Sequence, residues 1–233
     1  MITHPIVTMT GFGIAITLGA YILSLRARKR YPSPLTSPVL FSTVVVIAVL
    51  LASGVSFADY EPAKSIMTFL LGPAVVALAL PLYKNRKVFF QNVVPAGCGL
   101  LAGSLGTMVI AGLIARALGF TRPLTASIAI KSTTVPVAVA IARIVHGEPA
   151  LTAIFVVITG MLGASLGPWI MTRVGITHPL SRGLALGTIS HGQGTAEAIV
   201  ENQFSGAVAG VAMVLGALST SIAAPYLVPL LAH

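Results

Sequence analysis

The chain alternates between long apolar stretches and short polar ones. Apolar runs fall at about 6–25, 38–57, 64–83, 91–118, 123–145, 149–172, 182–200 and 206–231. Most approach the roughly 20 residues that a helix needs to cross a bilayer core. This predicts an all-α polytopic membrane protein with six to eight transmembrane helices, some of them broken or re-entrant. Run three is interrupted at Gly72-Pro73 and again at Pro81. Run four is rich in glycine, run five carries Lys131 and Pro136, and run seven is the most polar. Glycine and proline are tolerated in such helices where neighbours or water satisfy the freed backbone. The loops are short, so residues 1–233 read as a single membrane domain. Runs two to four resemble runs six to eight in order, which predicts an internal repeat with halves at about 1–120 and 121–233.

Composition agrees. The chain is 56% hydrophobic and 8% charged, against about 25% charged in a soluble domain. Its net charge of +9 would suggest nucleic acid in a soluble protein. Here the basic residues sit in short segments beside apolar runs, which is the positive-inside pattern of a membrane protein. Arg26-Ala27-Arg28-Lys29-Arg30 and the cluster of Lys84, Arg86 and Lys87 are two crossings apart, with Asp59 and Glu61 between them. This puts the N-terminus outside. Arg173 and Arg182 join the cytoplasmic side only if run five dips in and returns, so the charges predict a re-entrant or broken Lys131 segment.

Run one, Ile6 to Leu25, is too long for a signal-peptide core and lacks a basic leading region, so it reads as a retained span. The lone Cys98 permits neither a disulfide within the chain nor a thiol metal site. The sequence holds no metal-ligand spacing, nucleotide loop or paired catalytic carboxylates. No enzyme activity, cofactor or metal is expected.

Lys131 carries the strongest chemical signal. It lies in an otherwise uncharged stretch from Leu124 to Ala140, where a cation costs roughly 2.5 kcal/mol or more. It stands roughly 13 Å inside the run that begins near Thr121-Arg122, deep for snorkelling to the headgroups. Ser132, Thr133 and Thr134 follow, and Pro136 removes a backbone hydrogen bond. The second cluster is Gly187-Thr188-Ile189-Ser190-His191-Gly192-Gln193-Gly194-Thr195-Ala196-Glu197. Its three glycines favour unwound backbone. The helix that follows would present free N–H groups to an anion. His191 and Glu197 are candidates for proton coupling. Taken singly, the hydroxyls could bond neighbouring backbone, His191 could bond across helices, and Lys131 could pair with Glu197. Taken together they favour a site for a small anion. Gly72-Pro73 would open another helix within the membrane. Gly163 and Gly167 read as a packing face, and His4, His146, His178 and His233 lie in loops or termini.

These stretches carry a resemblance. Leu71-Gly72-Pro73-Ala74 through Tyr83-Lys84, Ile130-Lys131-Ser132-Thr133-Thr134-Val135-Pro136, Ile158-Thr159-Gly160 through Gly167-Pro168, and Arg182-Gly183 through His191-Gly192 with Gly194-Thr195-Ala196 resemble the LrgB (CidB-like, antiholin-like) membrane proteins. The resemblance spans about residues 8–230. It implies two alternatives. Bacterial members were named for control of murein hydrolase export and autolysis, with a small LrgA/CidA-type subunit as partner. A plant plastid relative is a glycolate/glycerate translocator, and some bacterial members are linked to pyruvate uptake. The residues carried over are Lys131, Ser132, Thr133, Thr134, Pro136, His191, Gly192, Gly194, Thr195, Gly72 and Pro73, to which the residue reading adds Ser190. The chain departs from the family pattern at Val135 and Glu197.

The residues favour transport of a small 2-hydroxy or 2-oxo monocarboxylate by alternating access, since a pore-former needs no such cluster. The alternative is a holin/antiholin-like regulator. A homodimer suits a small transporter, with runs four and eight as candidate interface helices.

Overall fold

The structure, a computed structural model, describes residues 3–232. It is helical, with no strand among the described residues. The helices group into two compact units, one ending at Ala79 and the other beginning at Leu80. This grouping bears on neither the single-domain expectation nor the repeat.

The first unit holds α1 (Thr3–Arg30), a 3-10 turn at Pro34–Thr36, α2 (Pro38–Ser53) and α3 (Phe57–Ala77). Ser33 and Thr36 cap that turn reciprocally. α1 meets α3 at Gly13, where a Cβ would stand 2.8 Å from that of Ala63, and Thr17 Oγ1 lies 2.8 Å from Tyr60 Oη. One expectation fails here. Gly72 and Pro73 do not open a helix; both lie inside α3, which runs on to Ala77 before breaking at Leu78. A proline removes one backbone bond of the ladder, and a long apolar helix with intact bonds on both sides continues through it.

The second unit follows from α4 (Ala79–Lys84), whose first residue closes the first unit. It comprises α5 (Arg86–Gln91), α6 (Val93–Ala117), α7 (Arg122–Ala129), α8 (Val135–Ile144), α9 (Pro149–Arg173), α10 (Pro179–Glu201) and α11 (Gln203–Leu231). Among the described residues, five stretches are long and apolar enough to cross a membrane: Thr8–Arg30, Phe57–Lys84, Val93–Ala117, Pro149–Arg173 and Gln203–Leu231. This is a multi-pass membrane protein. α2, at 16 residues, is shorter, about 24 Å.

The remaining two runs fold back instead of crossing. Run five divides into α7 and α8 around residues 130–134. Glu148, just past α8, donates its N–H to Ser127 Oγ in α7 at 2.8 Å, across 21 residues. In one straight helix those residues would stand about 31 Å apart. α7 and α8 therefore form a hairpin, the re-entrant arrangement that the charge pattern predicts. α10 does the same. His191, at φ 42° and ψ −124°, divides it into two arms. Arg182 on the first arm bonds Glu201 at the end of the second.

Small residues permit the packing. A Cβ at Gly183 would strike the Ser205 carbonyl, and one at Gly187 the Ala209 carbonyl, so the first arm of α10 lies backbone to backbone on α11. On the other side, Gly99 faces Leu184 and Gly103 faces Thr188. α6, this arm and α11 thus run in the same direction. α9 runs against them, with Gly167 facing Leu186 and Gly163 facing Ser190. The α7–α8 hairpin packs through Ala126, Ala129, Ile130, Ile141 and Ala142 into an apolar cluster with Met108 of α6 and Ala224 and Val228 of α11.

Candidate functional site

Each hairpin ends in a polar tip. At the first, α7 ends at Ala129 and α8 begins at Val135, leaving Lys131, Ser132, Thr133 and Thr134 in between. Lys131 is half-buried and donates from Nζ to Ser132 Oγ at 3.3 Å. Ser132 is buried, and Thr133 is 1% exposed with no hydrogen-bond partner for Oγ1. Such a buried, unmade bond costs about 1–3 kcal/mol. Thr134 stands at the N-cap of α8, and its side chain does not cap the helix; Pro136 falls in the first turn. The leading N–H groups of α8 therefore have no side-chain acceptor at the cap, at the positive end of the helix dipole.

At the second tip the chain reverses at His191. The glycines do not unwind the backbone over 187–194, as their number suggests they should. Helical geometry persists on both sides, and the one non-helical residue is His191 itself. Gly187 and Gly194 serve close contact instead: a Cβ at Gly194 would strike the Leu186 carbonyl of the opposite arm. His191 donates Nε2–H to the Val156 carbonyl of α9 at 3.2 Å, so the bond runs to backbone across helices. Thr195 Oγ1 donates to the His191 carbonyl at 2.8 Å, within the first turn of the second arm. Ser190, His191, Gly194, Thr195 and Glu197 are buried, and Gly192 is exposed.

α9 is notched to receive this tip. A Cβ at Gly163 would fall on Ser190 Oγ, and one at Gly160 on Gln193 Oε1 and close to His191 Cε1. From sequence, Gly163 reads as packing and Gly160 only as part of the family motif, yet both seat the tip. Gln193 Oε1 and Thr188 Oγ1 are buried without partners. The Lys131 group and the His191 group lie on different hairpins, and their hydrogen bonds go to Ser132 and Val156 respectively. Gly72 and Pro73, exposed on α3, belong to the first unit.

Three polar residues outside the predicted set stand nearby. Ser104 Oγ of α6 and Thr220 Oγ1 of α11 are buried and 3.2 Å apart. Ser165 of α9 is buried with Oγ unpartnered. Single hydroxyls in apolar runs carry no sequence signal, because most bond their own helix backbone. A cleft of about 440 Å³ between α6 and the first arm of α10 runs from Asn92 and His178 to Thr188 and Ile189. Among the described residues, no three His, Cys, Asp or Glu side chains group as metal ligands would.

Comparison with known proteins adds the following. The model of the LrgB-like family matches residues 17–230. The chain is similar to the uncharacterized protein YxaC of Bacillus subtilis, with 37% identity over 92% of this chain and 94% of that one. It is also similar to the holin-like protein CidB of Staphylococcus aureus, with 30% identity over 92% of this chain and 94% of that one. An uncharacterized protein of Haemophilus influenzae is 31% identical over 93% and 94%. No solved structure matches the chain.

Proposed function

The chain belongs to the LrgB-like family, and from that premise we propose that it carries small 2-hydroxy or 2-oxo monocarboxylates, such as glycolate, glycerate, lactate or pyruvate, across a bacterial inner membrane. The observation that carries this reading is the pair of hairpins entering from opposite ends of α9. The base of α7–α8 is tied at Glu148, the N-cap of α9. The base of α10 is tied at Pro168, Thr172 and Ile176, around the other end. Ten residues of α8 rise about 15 Å, which is about ten residues along α9. That is the level of Val156 and Gly160, where the His191 tip is seated. Broken helices whose N-termini converge inside the membrane are the usual form of a transporter's anion site.

In this reading Lys131 and the N–H groups opening α8 and the second arm of α10 hold the carboxylate, with Ser132, Thr133, Thr134, Ser190 and Thr195 around it. His191 and Glu197 carry the coupled proton. Opening alternates between the two hairpin bases, with the N-terminus of the chain outside. A small LrgA/CidA-type subunit is the expected partner, and a homodimer the expected self-assembly.

A second reading rests on the relatives' names. Similarity to a holin-like protein over nearly the full length of both chains favours a holin/antiholin-like regulator of murein hydrolase release, and the comparisons carry that role further than they carry transport. Uptake of labelled glycolate, glycerate, lactate and pyruvate into proteoliposomes separates the two, with and without an LrgA-type subunit. Uptake that Lys131→Ala abolishes supports transport. Absence of uptake by correctly inserted protein, with autolysis altered equally by wild type and by Lys131→Ala in cells, favours regulation.

A further inference from the structure

We infer that Ser104 and Thr220, with Thr188, form the subsite that receives the hydroxyl or oxo group on carbon 2 of a short carboxylate. The inference rests on the transport reading above and adds to it residues that the two hairpin tips do not contain.

Three helices meet here. Thr188, near the end of the first arm of α10, leans on Gly103 of α6, where a Cβ would stand 3.4 Å from its Cγ2. Gly216 of α11 faces the same residue at about van der Waals distance. Thr188 is 4% exposed, and its Oγ1 has no partner. The next residue on α6 is Ser104, and one turn further on α11 is Thr220; their hydroxyls lie 3.2 Å apart across the two helices. One more turn along each helix come Met108 and Ala224, in the apolar cluster that holds Ile130, the residue before Lys131. The hydroxyl pair therefore occupies the turn between the seats of the two hairpins. Beyond the pair, at the first tip, Thr133 buries another hydroxyl without a partner.

The chemistry of the pair suits a 2-oxygen. Each hydroxyl has one O–H and two lone pairs, and their mutual bond uses one O–H. One donor and several lone pairs remain, so the pair can donate to an oxo group or both donate to and accept from a hydroxyl. Thr188 supplies one more donor. Bonding between two helices is also a structural device of membrane packing; the buried Thr188 hydroxyl without a partner beside the pair is what points beyond packing to a ligand. An acid with nothing on carbon 2 would leave the Thr188 hydroxyl and the pair's remaining donor unanswered, and a site built around a polar group discriminates against a ligand that lacks it.

The test compares glycolate with acetate. Wild type, Ser104→Ala, Thr220→Val, Thr188→Val and the Ser104→Ala/Thr220→Val double variant are assayed for uptake of both acids in proteoliposomes. Each acid's thermal stabilisation of the detergent-solubilised protein is measured alongside. Wild type should favour glycolate by about tenfold or more, the scale of one to two hydrogen bonds. The double variant should bring the ratio close to one by lowering glycolate uptake. Variants that lose thermal stability but keep the wild-type ratio would assign Ser104 and Thr220 to packing and overturn the subsite while transport stands. If wild type moves neither acid, the transport reading fails. The subsite then stands on stabilisation by glycolate over acetate that the double variant loses, and falls if that preference is absent.

Discussion

Arg182 grips Glu201 with two short bonds, Nη2 to Oε1 at 2.6 Å and Nε to Oε2 at 2.8 Å, although 19 residues of a nominally single helix separate them. Along a straight helix they would be about 28 Å apart. The same guanidinium donates to the carbonyls of Ile176 at 2.8 Å and Pro168 at 3.1 Å and to Thr172 Oγ1 at 3.2 Å. One side chain thus fastens the base of the hairpin and ties it to the end of α9. The planar fork of arginine suits this task and the ammonium of lysine does not.

Breaking that clasp should destabilise the protein. Both side chains are partly buried, at 12% and 15% exposure, and removing one partner leaves the other's hydrogen bonds unmade, at a cost of about 1–3 kcal/mol. Arg182→Ala and Glu201→Gln should each lower the melting temperature in detergent. The double variant should lose less than the sum of the two, with a coupling of about 0.5–3 kcal/mol. Additive losses would mean that the two residues act separately. Arg182→Lys should fall between wild type and Arg182→Ala.

The reversal at His191 invites a comparison of two substitutions. A non-glycine residue at φ 42° sits in a sparsely populated region at a cost of about 1–3 kcal/mol. His191→Ala loses the bond to Val156 and keeps the backbone strain. His191→Gly loses the same bond and sheds the strain, so it should be the more stable of the two by about 1 kcal/mol. The opposite order in thermal melts would show that the backbone is not strained there. Restored uptake in His191→Gly would mean that the ring only shapes the turn and carries no proton.

The glycines of α9 separate packing from site. From sequence, Gly163 and Gly167 form one small-residue face, but in the structure they meet different neighbours. A methyl at Gly163 would land on Ser190 Oγ, whereas one at Gly167 would stand 3.1 Å from Leu186 Cδ2, the far end of a longer side chain. Gly167→Ala should cost about 1 kcal/mol or less, and Gly163→Ala should displace the tip and abolish uptake. Gly160→Ala should behave like Gly163→Ala because Gln193 and His191 fill its space. Equal effects at Gly163 and Gly167, on autolysis and with no effect on uptake, would favour assembly of helices as the working principle.

Much of this was legible in the chain, for physical reasons. Lys131 stands out because a charge in an apolar run is costly, and Arg173 and Arg182 betray the fold-back of the Lys131 segment because charge follows topology. The apolar runs and the helices agree closely, as at 149–172 against Pro149–Arg173. The second hairpin was hidden. Its polar sequence suggested a loosened helix, but the turn sits on a histidine, and the glycines are there for backbone contact with Leu186 and Ala209. Local conformational preference cannot reveal which neighbour needs the space. Gly72-Pro73 misled for the complementary reason: two helix-breaking residues do not break a long apolar helix whose remaining bonds are intact. Ser104 and Thr220 were invisible because 116 residues separate them, and only the assembled bundle gives either one a meaning.

The first hairpin has a clasp of its own, made without charge. Ser127 is fully buried; its Oγ donates to the Pro123 carbonyl at 2.7 Å and accepts from the Glu148 N–H at 2.8 Å. A Cβ on Gly147 would stand 3.0 Å from the same oxygen, so the approach needs both the hydroxyl and the bare glycine beside it. Ser127→Ala leaves the N–H of the exposed Glu148 without its side-chain acceptor, at a cost of about 0.5–1.5 kcal/mol, the net worth of one hydrogen bond. The loss falls at the base of the hairpin and leaves Lys131, Ser132 and Thr133 chemically intact. Hydrogen exchange should therefore rise across about residues 145–150 and stay unchanged in the second arm of α10, which has its own fastening at Glu201. Uptake should weaken without being lost, in contrast to Lys131→Ala. Faster exchange in both hairpins would show that they open as one unit, and unchanged exchange at residues 145–150 would mean that the apolar cluster around Ile130 and Ile141, not Ser127, holds the first hairpin in place.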